Sequence, residues 1–160
     1  MRLLVARRSF ASINEHSINL ASVSPKDVHE SSPKAVGALM AALAKNPKSE
    51  NEGALCNEID EYFRQKFRKV TFEDAKAIVS GLGFDSSYSG EKPVKIDGLD
   101  DKFWVWETLE EATRPHVDEI SKDEFQRFIT GWSMQMKGSE ELYDLMQERV
   151  FYFYAEGPPF

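Results

Sequence analysis

The chain has 160 residues, a hydrophobic content of 41% and a formal net charge of -7. This length predicts one folded core with extensions rather than two full domains. Because phosphate contacts need clustered Lys and Arg, the acidic charge argues against a nucleic-acid partner. The single cysteine, Cys56, excludes an intrachain disulfide, and no zinc-type Cys/His pattern occurs, so we expect no metal and no cofactor.

The first thirteen residues differ in composition from the rest of the chain. They contain Arg2, Arg7 and Arg8 with interleaved apolar residues, and no acid occurs before Glu15. An Arg-rich, acid-poor, amphipathic start is typical of a mitochondrial targeting peptide. The alternative is a basic tail that binds an acidic partner. We expect neighbouring proteins to hold this segment through its arginines and Phe10.

Residues 1–33 are predicted to form this targeting-like segment followed by an extended arm. Between positions 14 and 33 the chain is rich in Ser and Asn, contains Pro25 and Pro33, and shows no sustained period. Residues 34–53 are predicted to be a short helix, over 34–45, and a loop. The apolar face of that helix either docks onto another helix or a membrane surface, or covers this protein's own core.

Residues 54–137 show a pattern of amphipathic helices. An apolar residue at every fourth position predicts the first one, through Leu55, Ile59, Phe63 and Phe67. A second helix is predicted from Thr71, which has capping-box spacing to Asp74, to a stop at Gly83. After a linker over 85–100, a third helix ends before Pro115 and a fourth begins at Ser121.

This order of elements resembles a pair of EF-hands of the calmodulin and centrin family. Val70 and Ile120 stand where that family has the β-branched residues of the two loops, and Asp74 and Glu124 stand four positions later. The resemblance implies an all-α fold in which Val70 and Ile120 pair across a short two-stranded bridge. The calcium ligands are missing, because positions one, three, five and six hold Phe63, Gln65, Phe67 and Arg68 in the first loop, and Thr113, Pro115, Val117 and Asp118 in the second.

Residues 138–160 are predicted to form a C-terminal helix and tail with aromatic residues on every side. The aromatic residues are Phe151, Tyr152, Phe153, Tyr154 and Phe160. A small chain has little spare core to cover such a helix, so we expect a partner surface there. Trp104 is a further partner-binding candidate, because Trp104 and Trp106 cannot face the same core from one helix.

These patterns predict a non-catalytic accessory subunit of a mitochondrial complex, in the matrix or on the matrix side of the inner membrane. ATP synthase and the respiratory complexes are the assemblies considered, and the expected partners are other protein subunits. No apolar stretch is long enough to span a bilayer, although the protein could lie close to one. The alternative is a calcium-independent calmodulin-like light chain that clamps an amphipathic helix.

Catalysis is not expected. The three histidines stand far apart, and no phosphate-binding motif is present. Adjacent acidic pairs such as Glu110-Glu111 point in different directions on a helix, which favours a solvated face.

Calcium is expected to have no effect on this protein. Titration from micromolar to millimolar calcium should leave the helical circular dichroism signal and the tryptophan emission unchanged, because neither loop has the required oxygen ligands. A saturable response that Glu124→Gln abolishes would show that the loops are misassigned.

Overall fold

A computed structural model describes residues 13–14, 17–47 and 49–156. The predicted all-α class is confirmed, and the two short strands form a two-stranded antiparallel ladder. The elements in chain order are β1 (Ile13–Asn14), β2 (Ser17–Ile18), α1 (Pro25–His29), α2 (Pro33–Lys45), α3 (Glu52–Gln65), α4 (Phe72–Ser80), α5 (Trp104–Thr113), α6 (Lys122–Gln135) and α7 (Glu140–Glu156). Single 3-10 segments lie at Leu20–Ser22, Asp97–Leu99 and Arg114–Glu119.

The second half of the predicted arm is folded rather than extended. Ser24 and Asp27 form a capping box that starts α1, and Val28 is fully buried. The buried hydroxyl of Tyr62 in α3 donates a hydrogen bond of 2.9 Å to the carbonyl of Ser31. Burial raises the pKa of Tyr62 to about 12, so this donor keeps its proton at neutral pH. The arm prediction missed the Ser-x-x-Asp spacing of the box.

Helix α2 covers this protein's own core. It begins at the Ser32 cap, whose hydroxyl accepts from the amide of Ala35, and its apolar face lies against α4. The four residues predicted for this face are all buried: Val36, Leu39, Met40 and Leu43. Of the two alternatives for this helix, the structure therefore supports the core-covering one.

Two helix–loop–helix units, α3–α4 and α5–α6, form the centre of the fold. Helix α3 lies along α5, where the hydroxyl of Thr108 donates to the carbonyl of Phe63 at 2.8 Å. The N-terminus of α5 lacks a local side-chain cap, and the carboxylate of Asp60 in α3 accepts from the amide of Val105 at 2.9 Å instead. A contact with α3 thus gives a hydrogen-bond acceptor to an amide at the start of α5 that no neighbouring side chain caps.

Helices α4 and α6 approach each other closely at two glycines. A Cβ placed on Gly131 would lie 2.1 Å from the carbonyl oxygen of Val79, and one on Gly83 would lie 2.0 Å from that of Arg127. Helix α4 ends at Ser80, three residues before the predicted stop. Gly83 therefore serves the close approach of two backbones rather than a left-handed cap.

The predicted backbone bridge between Val70 and Ile120 is absent. The amide of Ile120 donates to the carbonyl of Val117 at 3.3 Å, and the carbonyl of Ile120 accepts from the guanidinium of Arg149 at 2.9 Å. The amide and the carbonyl of Ile120, which a strand pair would need, are therefore both hydrogen-bonded to other residues. Val70 and Ile120 are instead buried side chains that precede the first turns of α4 and α6.

The linker between the two units is held by a buried amide. Gln135, at the end of α6, accepts from the amide of Ile96 at 2.9 Å and donates to the carbonyl of Val94 at 3.0 Å. Gln135 and Ile96 are each 1% exposed. The segment predicted as a linker is thus fixed to the helical body.

The close approach of α4 and α6 gives a stability prediction. Gly131→Ala should lower the free energy of unfolding by about 1–3 kcal/mol, because the added methyl overlaps the Val79 carbonyl. Gly53→Ala is the matched control in α3, where no atom lies within 4 Å of the new Cβ. It should leave stability unchanged or raise it by up to about 1 kcal/mol. Chemical denaturation measures both, and equal losses would contradict the packing described.

Candidate functional site

The described part of the chain offers no obvious chemical centre. Within residues 13–14, 17–47 and 49–156, no group of three or more His, Cys, Asp or Glu side chains could hold a metal ion. No helix among these residues combines the length and the apolar character that crossing a bilayer requires. The imidazoles of His29 and His116 contact the carboxylates of Glu58 and Glu119 at the surface. The most distinctive surface feature lies on α7.

The N-terminus of α7 is fixed to α5 by a buried carboxylate. Glu110 is 8% exposed and accepts a hydrogen bond of 2.9 Å from the amide of Ser139. Arg114 ion-pairs with Glu110 at 2.8 Å, and this hydrogen bond raises the pKa of Arg114 above its usual value. The hydroxyl of Ser139 accepts from the amide of Leu142 at 3.1 Å and so caps the helix.

One side of α7 belongs to the core. Leu142 and Met146 are fully buried, and the ring of Phe153 lies edge-on to Phe125 with 5.5 Å between centroids. The guanidinium of Arg149 lies 4.5 Å from the ring centroid of Phe153 and donates to the Ile120 carbonyl. These contacts fix the rotation of the helix about its axis.

The opposite side of α7 exposes three large aromatic rings within four residues. Phe151 is 61% exposed, Tyr152 46% and Tyr154 56%, and we call them the C-terminal aromatic face. Aromatic side chains bury large areas when covered and are enriched in protein interfaces. A cluster of this kind is typical of a surface that another molecule covers.

Phe153 and Trp104, both predicted to bind a partner, do not lie on the C-terminal aromatic face. Phe153 was predicted to face a partner, which is wrong, because the helical period places it on the same side as Leu142 and Met146, where it is 5% exposed. Trp104 is half-buried at the start of α5 and contacts Phe67 and Phe103 rather than the rings of α7. The remaining candidates lie outside the described residues: Arg2, Arg7, Arg8, Phe10 and Phe160.

A cleft of about 550 Å³ borders the C-terminal aromatic face. It lies between α7 and the 3-10 segment Arg114–Glu119, and Leu145 and Tyr152 form apolar parts of its lining. Its charged lining has both signs, with Asp118 and Glu148 on one hand and Arg114 and Arg149 on the other. The guanidinium of Arg149 lies 4.5 Å from the ring centroid of Tyr152. The aromatic face therefore continues into a cleft that offers a partner both apolar and charged contacts.

The residues that fix α7 were not among the predicted site residues. Glu110 was predicted to be solvated together with Glu111, but it is buried with two partners, Arg114 and Ser139. No role was predicted for Arg149. Its place three residues after Met146 and four before Phe153 puts it on the buried stripe, and a charged residue on such a stripe is a signal for a specific partner.

Comparison of the chain with protein-family models, with curated proteins and with solved structures finds no match in any of the three. The EF-hand resemblance therefore stays a prediction.

The two sides of α7 should respond differently to the same substitution. Phe153→Ala should lower the free energy of unfolding by about 3 kcal/mol, because it empties a buried site against Phe125. Phe151→Ala removes an exposed ring from the same helix and should change stability by less than about 0.5 kcal/mol. Urea denaturation of both variants measures the difference, and a destabilising Phe151→Ala would contradict the exposure described.

Proposed function

We propose that this chain is a non-catalytic accessory subunit that joins a larger protein assembly through the C-terminal aromatic face. The observation that carries the proposal is the exposure of Phe151, Tyr152 and Tyr154 on a helix whose other side is fixed in the core. Leaving three large rings in water forgoes the free energy that their burial would supply. A partner surface would cover them, and the rigid mounting of α7 keeps the cost of ordering them low.

The proposed setting is a mitochondrial complex of the inner membrane, ATP synthase or a respiratory complex, on the matrix side. Support comes from the composition of the first thirteen residues, which carry Arg2, Arg7 and Arg8 without an acidic residue. The body of the protein is acidic, so the basic segment is distinct from the surface that follows it. Other protein subunits are the partners in this proposal.

The alternative, a light chain that clamps an amphipathic helix, requires an open apolar groove between the two helix–loop–helix units. In this chain α2 lies against α4, and Phe153 of α7 lies against Phe125 of α6. Phe125, Phe128 and Trp132 are fully buried within the chain itself. This covering of the inward faces favours the accessory subunit over the clamp.

The attachment surface can be tested by native size fractionation of extracts from cells that express the tagged full chain. The wild-type chain should elute with a large assembly, whereas Phe151→Ser/Tyr154→Ser should elute near its own mass of 18.3 kDa. The matched control is Val94→Ser/Met136→Ser, which removes two other exposed apolar side chains outside α7. Elution of the aromatic-face variant with the assembly, as for the control, would refute the proposed surface.

A separate import experiment tests the mitochondrial setting. Residues 1–13 fused to a fluorescent reporter should direct it to mitochondria, and replacing Arg2, Arg7 and Arg8 with Gln should abolish this import. A cytosolic wild-type fusion would remove the mitochondrial setting and leave the aromatic face as an attachment surface elsewhere.

A further inference from the structure

The side of α7 that carries Phe151 continues toward the start of the helix as a row of carboxylates. Glu140, Asp144 and Glu148 follow one another at a spacing of four residues, and Phe151 comes three residues after Glu148. Such spacings place residues on one side of an α-helix. The three acidic residues are all exposed, and we call them the acidic row. The solvent side of α7 is therefore acidic along its first turns and aromatic along its last.

The acidic row has no salt-bridge partner among the described residues. Arg149 is the one base in α7, and it lies on the other side of the helix, where its guanidinium donates to the carbonyl of Ile120 at 2.9 Å. Lys137, which precedes the helix, ion-pairs with Asp100 at 3.4 Å. The carboxylates of the row are thus open to a charged group from outside the chain.

The elements beside α7 do not reverse this charge. Across α7, the 3-10 segment Arg114–Glu119 and the first three residues of α6, the sequence has nine acidic residues and three basic ones. The three basic residues are Arg114, Lys122 and Arg149. Arg114 is shared by carboxylates, since it ion-pairs with Glu110 at 2.8 Å and with Glu141 at 3.8 Å. The surface around the acidic row is therefore net acidic.

We infer that the solvent side of α7 binds a basic amphipathic helix of a partner protein. The apolar side chains of that helix lie on the C-terminal aromatic face, and its Lys or Arg side chains lie along the acidic row. This inference rests on the proposed attachment through α7 and names the chemistry of the segment that covers it. The carboxylates add charge complementarity to the rings, and charge complementarity selects among apolar partners.

The spacing of the acidic row suits a helix as the occupant. Side chains four residues apart on a helix form ridges that pack into the grooves of a second helix. A helix rises 1.5 Å per residue, so the stretch from position 140 to position 154 is about 21 Å long, which is about four turns of a partner helix. The cleft beside Leu145 and Tyr152 has a volume of about 550 Å³ and gives room for side chains of that helix.

Other occupants fit this surface less well. Anionic lipid and nucleic acid are repelled by the acidic row, because their phosphates carry the same sign of charge. A second copy of this chain, packed through the same helix about a two-fold axis, brings no base opposite the acidic row, because Arg149 is the one base in α7. Carboxylates covered without a base lose hydration and gain no ion pair.

Two synthetic peptides serve as probes for the full chain. Both are helices of about five turns with leucines on one face, and the polar face carries lysines in one peptide and glutamates in the other. Fluorescence anisotropy of the labelled peptides measures binding. The lysine peptide should bind roughly tenfold or more tightly than the glutamate peptide, and 0.5 M salt should weaken its binding.

Variants of the full chain separate the acidic row from the general negative charge. Glu140→Gln/Asp144→Asn/Glu148→Gln should weaken binding of the lysine peptide roughly tenfold, and Phe151→Ser/Tyr154→Ser should also weaken it. The matched control is Glu50→Gln/Glu91→Gln/Asp101→Asn, which removes three exposed carboxylates elsewhere and changes the net charge equally. The control should bind as the wild type does, and urea denaturation checks that all variants fold.

Three results would overturn the inference: equal binding of the two peptides, equal binding of the acidic-row variant and the wild type, and equal weakening by the control. Dimerisation of the pure chain that Phe151→Ser/Tyr154→Ser abolishes would overturn it as well.

Size fractionation of cell extracts separates this inference from the proposed function. The acidic-row variant should leave the large assembly, as the aromatic-face variant should. If only the aromatic-face variant leaves, the inference fails and attachment through the C-terminal aromatic face stands. If the aromatic-face variant stays in the assembly, the proposed function fails too.

Discussion

The hydrogen bond from the guanidinium of Arg149 to the carbonyl of Ile120, 2.9 Å long, is the contact on which the arrangement of α7 depends. A hydrogen bond to a charged group contributes about 1.5–3 kcal/mol, and this one joins α7 to the loop that starts α6. It also uses the carbonyl that a strand pair with Val70 would need. Together with the burial of Leu142, Met146 and Phe153, it fixes the rotation of α7 and leaves Phe151 and Tyr154 facing solvent.

Helices α2 to α7 could be predicted from the sequence because short-range periodicity and caps determine them. Helix α1 was missed, and Phe67, predicted on the apolar face of α3, lies beyond the end of that helix at Gln65. Contacts between distant residues could not be predicted, because no local pattern shows that Glu110 accepts from Ser139 or that Asp60 caps α5. The bridge between Val70 and Ile120 was predicted from a family resemblance. It does not form, and the carbonyl of Ile120 accepts from Arg149 instead.

The central claim, attachment through the aromatic face of α7, is tested most directly by a photo-activated cross-linking amino acid placed at position 151 in the full chain inside cells. The matched position is Lys26, whose side chain is 77% exposed on α1, away from α7. Irradiation should join position 151 to a discrete protein partner and give no such product from position 26. Absence of a product at 151, or the same product from both positions, would contradict attachment through this face.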